Sequence, residues 1–168
     1  IQNLIVIMYQ ILWIEDEADT SLLEFRTKLE MNFDYNLEVV RTASDAILQL
    51  KENVFHAIVI DVRIPPGEEE SWSKLYIDGK NGLQFEQLGI HLIHEILKHD
   101  SIVHKDNQNA KKIGIFSIEQ RNDIQEISIE KKIWESVEKV KYLYKKDAEQ
   151  PEDFEDFIKT LIENSKSV

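Results

Sequence analysis

The sequence has no cysteine and, across 168 residues, only five glycines and three prolines. Without thiols the chain forms no disulfide, thiolate metal site or cysteine nucleophile, which fits a reducing compartment such as the cytoplasm. So little glycine and proline excludes collagen-like and proline-rich chains, and 42% hydrophobic residues exclude a largely disordered one. A chain of this length is expected to form one domain whose core needs no metal or disulfide staple.

Basic residues are also scarce, because 20 lysines and arginines stand against 32 aspartates and glutamates, for a net charge of −12. Such a surface repels phosphate backbones and no basic stripe compensates, so we expect no direct binding of nucleic acid. The longest apolar stretch, residues 4–14, is too short to span a bilayer and follows no basic region, so we expect no membrane association. Residues 1–8 are a possible extension: either the chain is a fragment of a longer protein, or Met8 is the real start and residues 1–7 come from upstream of it, and both alternatives stay open.

Apolar segments of strand length alternate with segments of helical periodicity. Predicted strands span residues 9–14, 36–41, 55–60, 112–117 and 141–144. Helical patterns follow at residues 22–29, 44–50, 90–97 and 133–140 and from Pro151 onwards, with Ser44 as the candidate N-cap of the second. Strict alternation with right-handed crossovers predicts an α/β, doubly wound fold around a mostly parallel sheet.

Reactive side chains are predicted where the strands end. Glu15 and Asp16 follow the first strand and Asp61 follows the third, while Ser117 ends the fourth and Lys145 follows the fifth. Ligands of open parallel sheets bind at the carboxyl ends of the strands, so we expect these groups to converge. Clustered carboxylates suit a hard dication such as Mg²⁺, and a lysine and a hydroxyl beside it suit a phosphoryl group. An aspartate in such a site can itself be the nucleophile and form an acyl phosphate.

Five segments at these positions carry a resemblance to a known family. In this order along the chain, the sequence resembles the receiver domain of bacterial two-component response regulators. The resemblance covers nearly the whole chain and implies a flavodoxin-like sheet of five parallel strands in the order 2-1-3-4-5. The matching segments are residues 11–17, 57–65, 89–96, 115–117 and 142–145.

The resemblance implies a phosphoacceptor with a magnesium site beside it. Carried over residue by residue, Asp61 is the phosphoacceptor and also a metal ligand. Asp16 binds Mg²⁺ directly, Glu15 binds it mostly through water, and the backbone carbonyl of Arg63 completes the site.

The resemblance also assigns a phosphoryl contact to each of two side chains and a switch role to a third. Ser117 bonds a phosphoryl oxygen and Lys145 pairs with the phosphoryl group, although Lys146 is a competitor for that place. Tyr142 stands where the family has an aromatic residue that turns inward when the hydroxyl is drawn to the phosphate.

As a function, the resemblance implies a cytoplasmic phosphoacceptor that takes a phosphoryl group from a sensor histidine kinase or a phosphotransfer protein. Phosphorylation would change its affinity for a partner, either an effector protein or a second copy of the chain. Self-phosphorylation with Mg²⁺ and slow dephosphorylation would make it a switch more than a metabolic enzyme. The whole chain, residues 1–168, is then one receiver domain.

The sequence departs from the family pattern in four places. Residues 68–88 form an acidic, aromatic-bearing insertion after the third strand, and alternating apolar positions at 75–85 suggest a small hairpin within it. Ile118 stands where the family has a small residue, and Lys146 replaces the usual proline. The stretch between Ser117 and Lys145 is longer than usual, which obscures the fourth helix.

Two other functions compete with this interpretation. A receiver-like module could dock its partners without being phosphorylated, which the insertion and Ile118 favour. A magnesium-dependent phosphohydrolase could use Asp61 as its nucleophile, but such enzymes commonly need a second aspartate two residues on, where this chain has Arg63.

Overall fold

The computed structural model describes residues 7–77, 88–119, 121–127, 130–146 and 150–166. The strands are β1 (Tyr9–Ile14), β2 (Tyr35–Val40), β3 (Ala57–Ile60), β4 (Ile113–Ser117) and β5 (Tyr142–Lys145). The helices are α1 (Leu23–Glu30), α2 (Ala43–Glu52), α3 (Glu70–Ile77), α4 (Leu88–Leu97), α5 (Arg121–Ile127), α6 (Lys131–Val137) and α7 (Pro151–Lys166). Two short 3₁₀ helices, Lys105–Asn107 and Ala110–Lys112, lie in the polar connection before β4.

The five strands form one parallel sheet in the order β2-β1-β3-β4-β5. This confirms the predicted fold class and strand order. β1 and β3 pair directly, with Ile14 opposite Ile60. The chain continues from β1 to β2 on one side and from β3 to β4 on the other. The carboxyl ends of β1 and β3 therefore border the crevice in which sheets of this kind bind ligands.

Each face of the sheet is covered by its own apolar cluster. On one face, here called the α4 face, residues of α2, α4 and α6 pack against Ile14, Ile60 and Ile115. On the other, the α7 face, residues of α1 and α7 pack against Trp13 and Phe116. All residues of β3 and β4 are buried, as expected for strands covered on both sides, whereas the edge strand β2 alternates. The alternation of side chains between these faces decides which of them reach the site.

The segment after Asp61 is hydrogen-bonded to the amino end of α2, where the backbone N–H groups of Ala43 and Ser44 donate to the carbonyls of Pro65 and Pro66. The helix begins at Ala43 and its N-cap is Thr42, whose Oγ1 accepts a hydrogen bond from the Asp45 backbone N–H. The prediction of Ser44 as the cap was therefore wrong, because its hydroxyl instead donates to the Pro66 carbonyl 2.6 Å away. Gly67 makes this turn with a φ of +83°, a conformation that glycine adopts without strain.

The first part of the insertion is helical. Residues 70–77 form α3, so the hairpin predicted for 75–85 was wrong in its first three residues, and its remainder lies outside the described segments. Trp72 explains the helix, because its side chain is 5% exposed and packs into the cluster on the α4 face. None of the helices in the described segments combines the length and apolar character that a bilayer crossing needs.

Candidate functional site

Two acidic residues are held at the carboxyl ends of the central strands by ladder hydrogen bonds that continue past those ends. The Glu15 N–H donates to the Val40 carbonyl at 2.9 Å, and the Asp61 N–H donates to the Ile14 carbonyl at 3.1 Å. These bonds place both residues at the crevice between β1 and β3. Their side chains are almost fully enclosed, with Glu15 at 0% and Asp61 at 1% exposure.

Three carboxylates meet at this point. Glu15, Asp16 and Asp61 each offer an oxygen, and these oxygens all lie within 4.8 Å of one another. Asp16 is half-buried, so the cluster opens to solvent on its side. Oδ1 of Asp61 is buried and has no hydrogen-bond partner among the described residues. Such a set of hard oxygen donors can hold a metal ion.

A lysine neutralises part of this negative charge, and it is Lys146. Its Nζ lies 2.9 Å from Asp61 Oδ2, 3.1 Å from Glu15 Oε2 and 3.4 Å from Glu17 Oε2. The expectation that Lys145 occupies this place is corrected by these contacts. Glu17 is a further member of the site that the sequence reasoning did not include.

The alternation of side chains along β5 explains why the second lysine reaches the site. Tyr142 and Tyr144 pack against the α7 face, whereas Leu143 packs against the α4 face. Lys145 continues the direction of Leu143, and the next residue, Lys146, returns to the other side. The same alternation along β1 and β3 directs Glu15 and Asp61 to the α7 side, because they come two residues after Trp13 and Val59, which belong to the α7 face. The Lys146 N–H bonds the Ser117 carbonyl at 3.0 Å, which fixes its position beyond the strand.

Burial and charge shift the pKa values of these groups. Burial, together with the neighbouring charge of Asp61, raises the pKa of Glu15 to about 8. Burial also raises the pKa of Asp61, although Lys146 opposes the change. For Lys146 burial acts to lower the pKa, but the charges of Asp61 and Glu15 outweigh it and hold the pKa above its usual value. The lysine therefore stays charged, and the two buried carboxyls beside it bind protons more tightly than exposed carboxyls do.

Ser117 lies at the end of β4 beside Asp61, but its hydroxyl is engaged elsewhere. The side chain is fully buried and donates a hydrogen bond to Oε2 of Glu119. The other oxygen of this carboxylate accepts from Nε of Arg63, which lies 2.5 Å away. Sequence reasoning missed Glu119, since nothing in the local pattern indicates that a glutamate two residues after the strand is buried.

Several solved structures share this fold over nearly the whole length of the chain. A CheY-like response regulator receiver domain from Methanospirillum hungatei superposes with a TM-score of 0.62 at 17% identity, over 96% of this chain and 99% of that one. The receiver domain of the Francisella response regulator 1452 superposes with a TM-score of 0.56 at 18% identity, over 94% of this chain and 97% of that one. A LuxR-family two-component response regulator from Aurantimonas superposes with a TM-score of 0.56 at 16% identity, over 93% of this chain and 86% of that one. The chain has the receiver fold.

The likeness lies in the fold, not in close sequence similarity. No protein-family model and no curated protein matches the sequence. The resemblance inferred from five short segments is nevertheless confirmed at the level of the fold, since the sheet has the predicted strand order and the superposition with the Methanospirillum hungatei structure covers both chains almost end to end.

Within this receiver fold, Tyr142 is not placed to approach Ser117. Its hydroxyl accepts a hydrogen bond from Asn164 Nδ2 of α7 at 2.6 Å, and its ring packs against the α7 face. Ser117 follows Ile113 and Ile115, which belong to the α4 face. The sheet therefore separates the two side chains in this structure, and the switch role of Tyr142 stays a prediction.

The site opens into a shallow cavity of about 280 Å³. Arg63 is one of its lining residues, and a hydrogen bond from the backbone of Arg63 opposes the rise that burial causes in the pKa of Asp61. Ile118, which stands where the family has a small residue, is 39% exposed and lines the cavity. The lining residues are Asp16, Glu17, Asp61, Arg63, Ile118 and Lys146.

Proposed function

We propose that this chain is a phosphoacceptor of a two-component signalling system, with Asp61 as the residue that takes the phosphoryl group. The observation that carries the proposal is the environment of Asp61. Its Oδ2 is held by Lys146 and its Oδ1 has no partner in the described segments, at the edge of a cavity large enough for a phosphoryl group. A buried carboxylate with one oxygen left unpaired is costly unless something binds there.

The residues present fit a magnesium ion. Asp16 and Asp61 would bind it directly, Glu15 through water, and the backbone carbonyl of Arg63 would complete the protein's share of the ligands. Mg²⁺ takes oxygen ligands and keeps several waters, which agrees with a few carboxylates on the rim of a cavity. Bound there, the ion would neutralise charge on the phosphoryl oxygens.

The chemical step is the transfer of a phosphoryl group between two nucleophiles. An oxygen of Asp61 attacks the phosphorus of a phosphohistidine, the P–N bond breaks, and the imidazole leaves with the electron pair and takes up a proton. Lys146 offers its charge to the phosphoryl oxygens, and the hydroxyl of Ser117 is the adjacent hydrogen-bond donor. Attack of water on the same phosphorus later releases phosphate and restores the carboxylate.

Partners follow from this chemistry. The donor would be a sensor histidine kinase or a phosphotransfer protein, and the phosphorylated chain would change its affinity for an effector or for a second copy of itself. A net charge of −12 is compatible with protein partners and disfavours nucleic acid. We place this reaction in the cytoplasm and assign it to a single receiver domain spanning residues 1–168, in which residues 68–88 are an insertion.

Intact-mass measurement tests the proposal directly. The protein is incubated with acetyl phosphate, with and without Mg²⁺, as wild type, as Asp61→Asn and as Asp100→Asn. Asp100 is an exposed aspartate that follows α4, so its variant controls for the loss of one carboxylate. We expect wild type and Asp100→Asn to gain one phosphoryl group only with Mg²⁺, and Asp61→Asn to gain none.

The opposite result would identify a different function. If folded wild-type protein gains no group at any donor concentration, Asp61 is not a phosphoacceptor and the chain is better described as a receiver-like interaction module. Continuous turnover of a generic phosphate ester, without a stoichiometric label, would instead indicate a phosphohydrolase.

A further inference from the structure

Glu119 occupies two hydrogen-bond donors beside the proposed phosphoryl site. It is a buried carboxylate, 8% exposed, at the start of the connection between β4 and α5. One of its oxygens accepts the hydroxyl hydrogen of Ser117 and the other accepts from the guanidinium of Arg63. A carboxylate that collects a hydroxyl and a guanidinium uses the same kinds of donor that a phosphoryl group would use.

The hydroxyl of Ser117 cannot serve two acceptors at once. It carries one hydrogen, and both Glu119 and Asp61 lie close enough to compete for it. Ser117 is fully buried, and Ile118 rather than Ser117 stands at the cavity wall. A phosphoryl group on Asp61 therefore gains this hydrogen bond only if Glu119 gives it up.

Resting on the proposed function, we infer that Glu119 is a positioning residue that holds Ser117 away from the phosphoryl group until that group displaces it. The incoming anion repels the Glu119 carboxylate across a site of low solvent exposure, where charges are weakly screened. Ser117 then turns to the anion. Arg63 is 43% exposed, so it can follow Glu119 towards solvent and keep the ion pair during the exchange.

Binding of beryllium trifluoride with Mg²⁺, a non-covalent phosphoryl mimic, isolates this step from the chemistry of transfer. Calorimetric titration compares wild type with Glu119→Ala, with Glu119→Gln in case the alanine variant folds poorly, and with Glu126→Gln. Glu126 is an exposed glutamate on α5 and controls for the change in net charge. We expect about tenfold tighter binding for Glu119→Ala and a smaller gain for Glu119→Gln, whose neutral amide still accepts a weaker hydrogen bond from Ser117.

The Ser117→Ala background distinguishes release of the hydroxyl from a general loosening of the site. If Glu119 acts through Ser117, removing it from the Ser117→Ala variant brings little or no gain in affinity, and the double-mutant cycle shows strong coupling. An equal gain in both backgrounds would overturn the inference, since it would assign the effect to charge or packing alone.

The remaining outcomes separate this inference from the proposed function. If wild type takes up a phosphoryl group from acetyl phosphate but the Glu119 variants bind the mimic no better than wild type, the inference fails and the function stands. If neither wild type nor any variant binds the mimic and wild type takes up no phosphoryl group from acetyl phosphate, both fail. Binding by Glu119→Ala where wild type binds nothing would support both, with Glu119 as the block.

Discussion

Lys146 Nζ and Asp61 Oδ2 lie 2.9 Å apart across the carboxyl edge of the sheet, in surroundings that leave the lysine side chain 9% exposed. This ion pair joins the turn after β5 to the end of β3. It also excludes solvent from the carboxylate that we propose as the phosphoacceptor. Because the pair is buried, each partner depends on the other for its charge, and removing one leaves an uncompensated group.

Replacing Lys146 should therefore affect both stability and phosphorylation. Lys146→Met keeps most of the side-chain volume but leaves Glu15 and Asp61 facing each other unpaired. We expect a loss of about 3 kcal/mol in the free energy of unfolding, measured by urea denaturation without Mg²⁺. Phosphoryl uptake from acetyl phosphate should fall by about 100-fold, because a charge that stabilises the transferring group is lost.

The matched variant is Lys145→Met, which changes the neighbouring lysine in the same way. Its stability and uptake rate should lie much closer to those of wild type, since the contacts to the carboxylates come from Lys146. A larger effect of Lys145→Met on the uptake rate would mean that the lysine assignment has to be reversed.

The raised pKa of Glu15 predicts a stability that falls as the pH rises. Its pKa is about 8 in the folded protein, against an ordinary value of 4.5. Between these values the folded state binds more protons than the unfolded state, so the free energy of unfolding decreases with increasing pH. Metal-free protein should lose stability progressively from about pH 5 to pH 8, and the raised pKa of Asp61 acts in the same direction.

Glu15→Gln should remove much of this slope, because the amide does not titrate. At pH 8 without metal the variant should be more stable than wild type, whereas its affinity for Mg²⁺ should be weaker. Urea midpoints at several pH values, with and without Mg²⁺, measure both effects. An unchanged slope in the variant would show that Glu15 is already ionised in the folded protein and that its enclosure is less complete than the structure indicates.

The fold could be predicted from the sequence because its signals are local and repeated. The tetrapeptide of β3 is apolar at every position and is followed at once by Asp61, a pattern typical of a strand covered on both faces that ends at an active edge. Once five such strands alternate with helices, chain connectivity and handedness leave few arrangements. The helical pattern at 133–140 corresponds to α6, whereas α5 was not predicted, since a helix of seven residues has too few turns for a clear apolar periodicity.

The site was predicted only in part, and the errors share a cause. Along β5 the sequence Tyr-Leu-Tyr-Lys-Lys is compatible with either direction of alternation, because all three residues before the lysines can pack against a helix. Only tertiary packing decides that Tyr142 faces α7. Since alternate residues share a face, Lys146 and not Lys145 then lies on the side of Asp61. The role of Glu119 was not predictable either, because it depends on Arg63, 56 residues away along the chain.

Close approach of α4 to the end of β3 makes Gly89 a sensitive position. A Cβ atom added there would lie 2.0 Å from the Asp61 carbonyl oxygen and 2.8 Å from the Val62 Cα. Alanine is the better helix former by about 1 kcal/mol, so propensity alone predicts that Gly89→Ala is stabilising. We expect the opposite sign, a loss of about 1–3 kcal/mol, because the obstructing atoms belong to the backbone.

Urea denaturation of a size series, Gly89→Ala and Gly89→Val, tests this contact. Stability should fall with each added group, and uptake of a phosphoryl group should fall with it because Asp61 is displaced. A neutral or stabilising Gly89→Ala would show that α4 can move away from β3 at little cost.

The hydrogen bond between Tyr142 and Asn164 predicts that this tyrosine is structural. Tyr142→Phe removes the hydroxyl that accepts from Asn164 Nδ2, so we expect a loss of about 0.5–1.5 kcal/mol in the free energy of unfolding. Affinity for beryllium trifluoride with Mg²⁺ should stay within about twofold of wild type, because the sheet lies between this side chain and Ser117. Asn164→Ala is the partner variant, and the two losses of stability should be strongly non-additive when combined. A large change in affinity on Tyr142→Phe would instead restore the switch role that the sequence resemblance implied, and would require Tyr142 to leave the α7 face when the site is occupied.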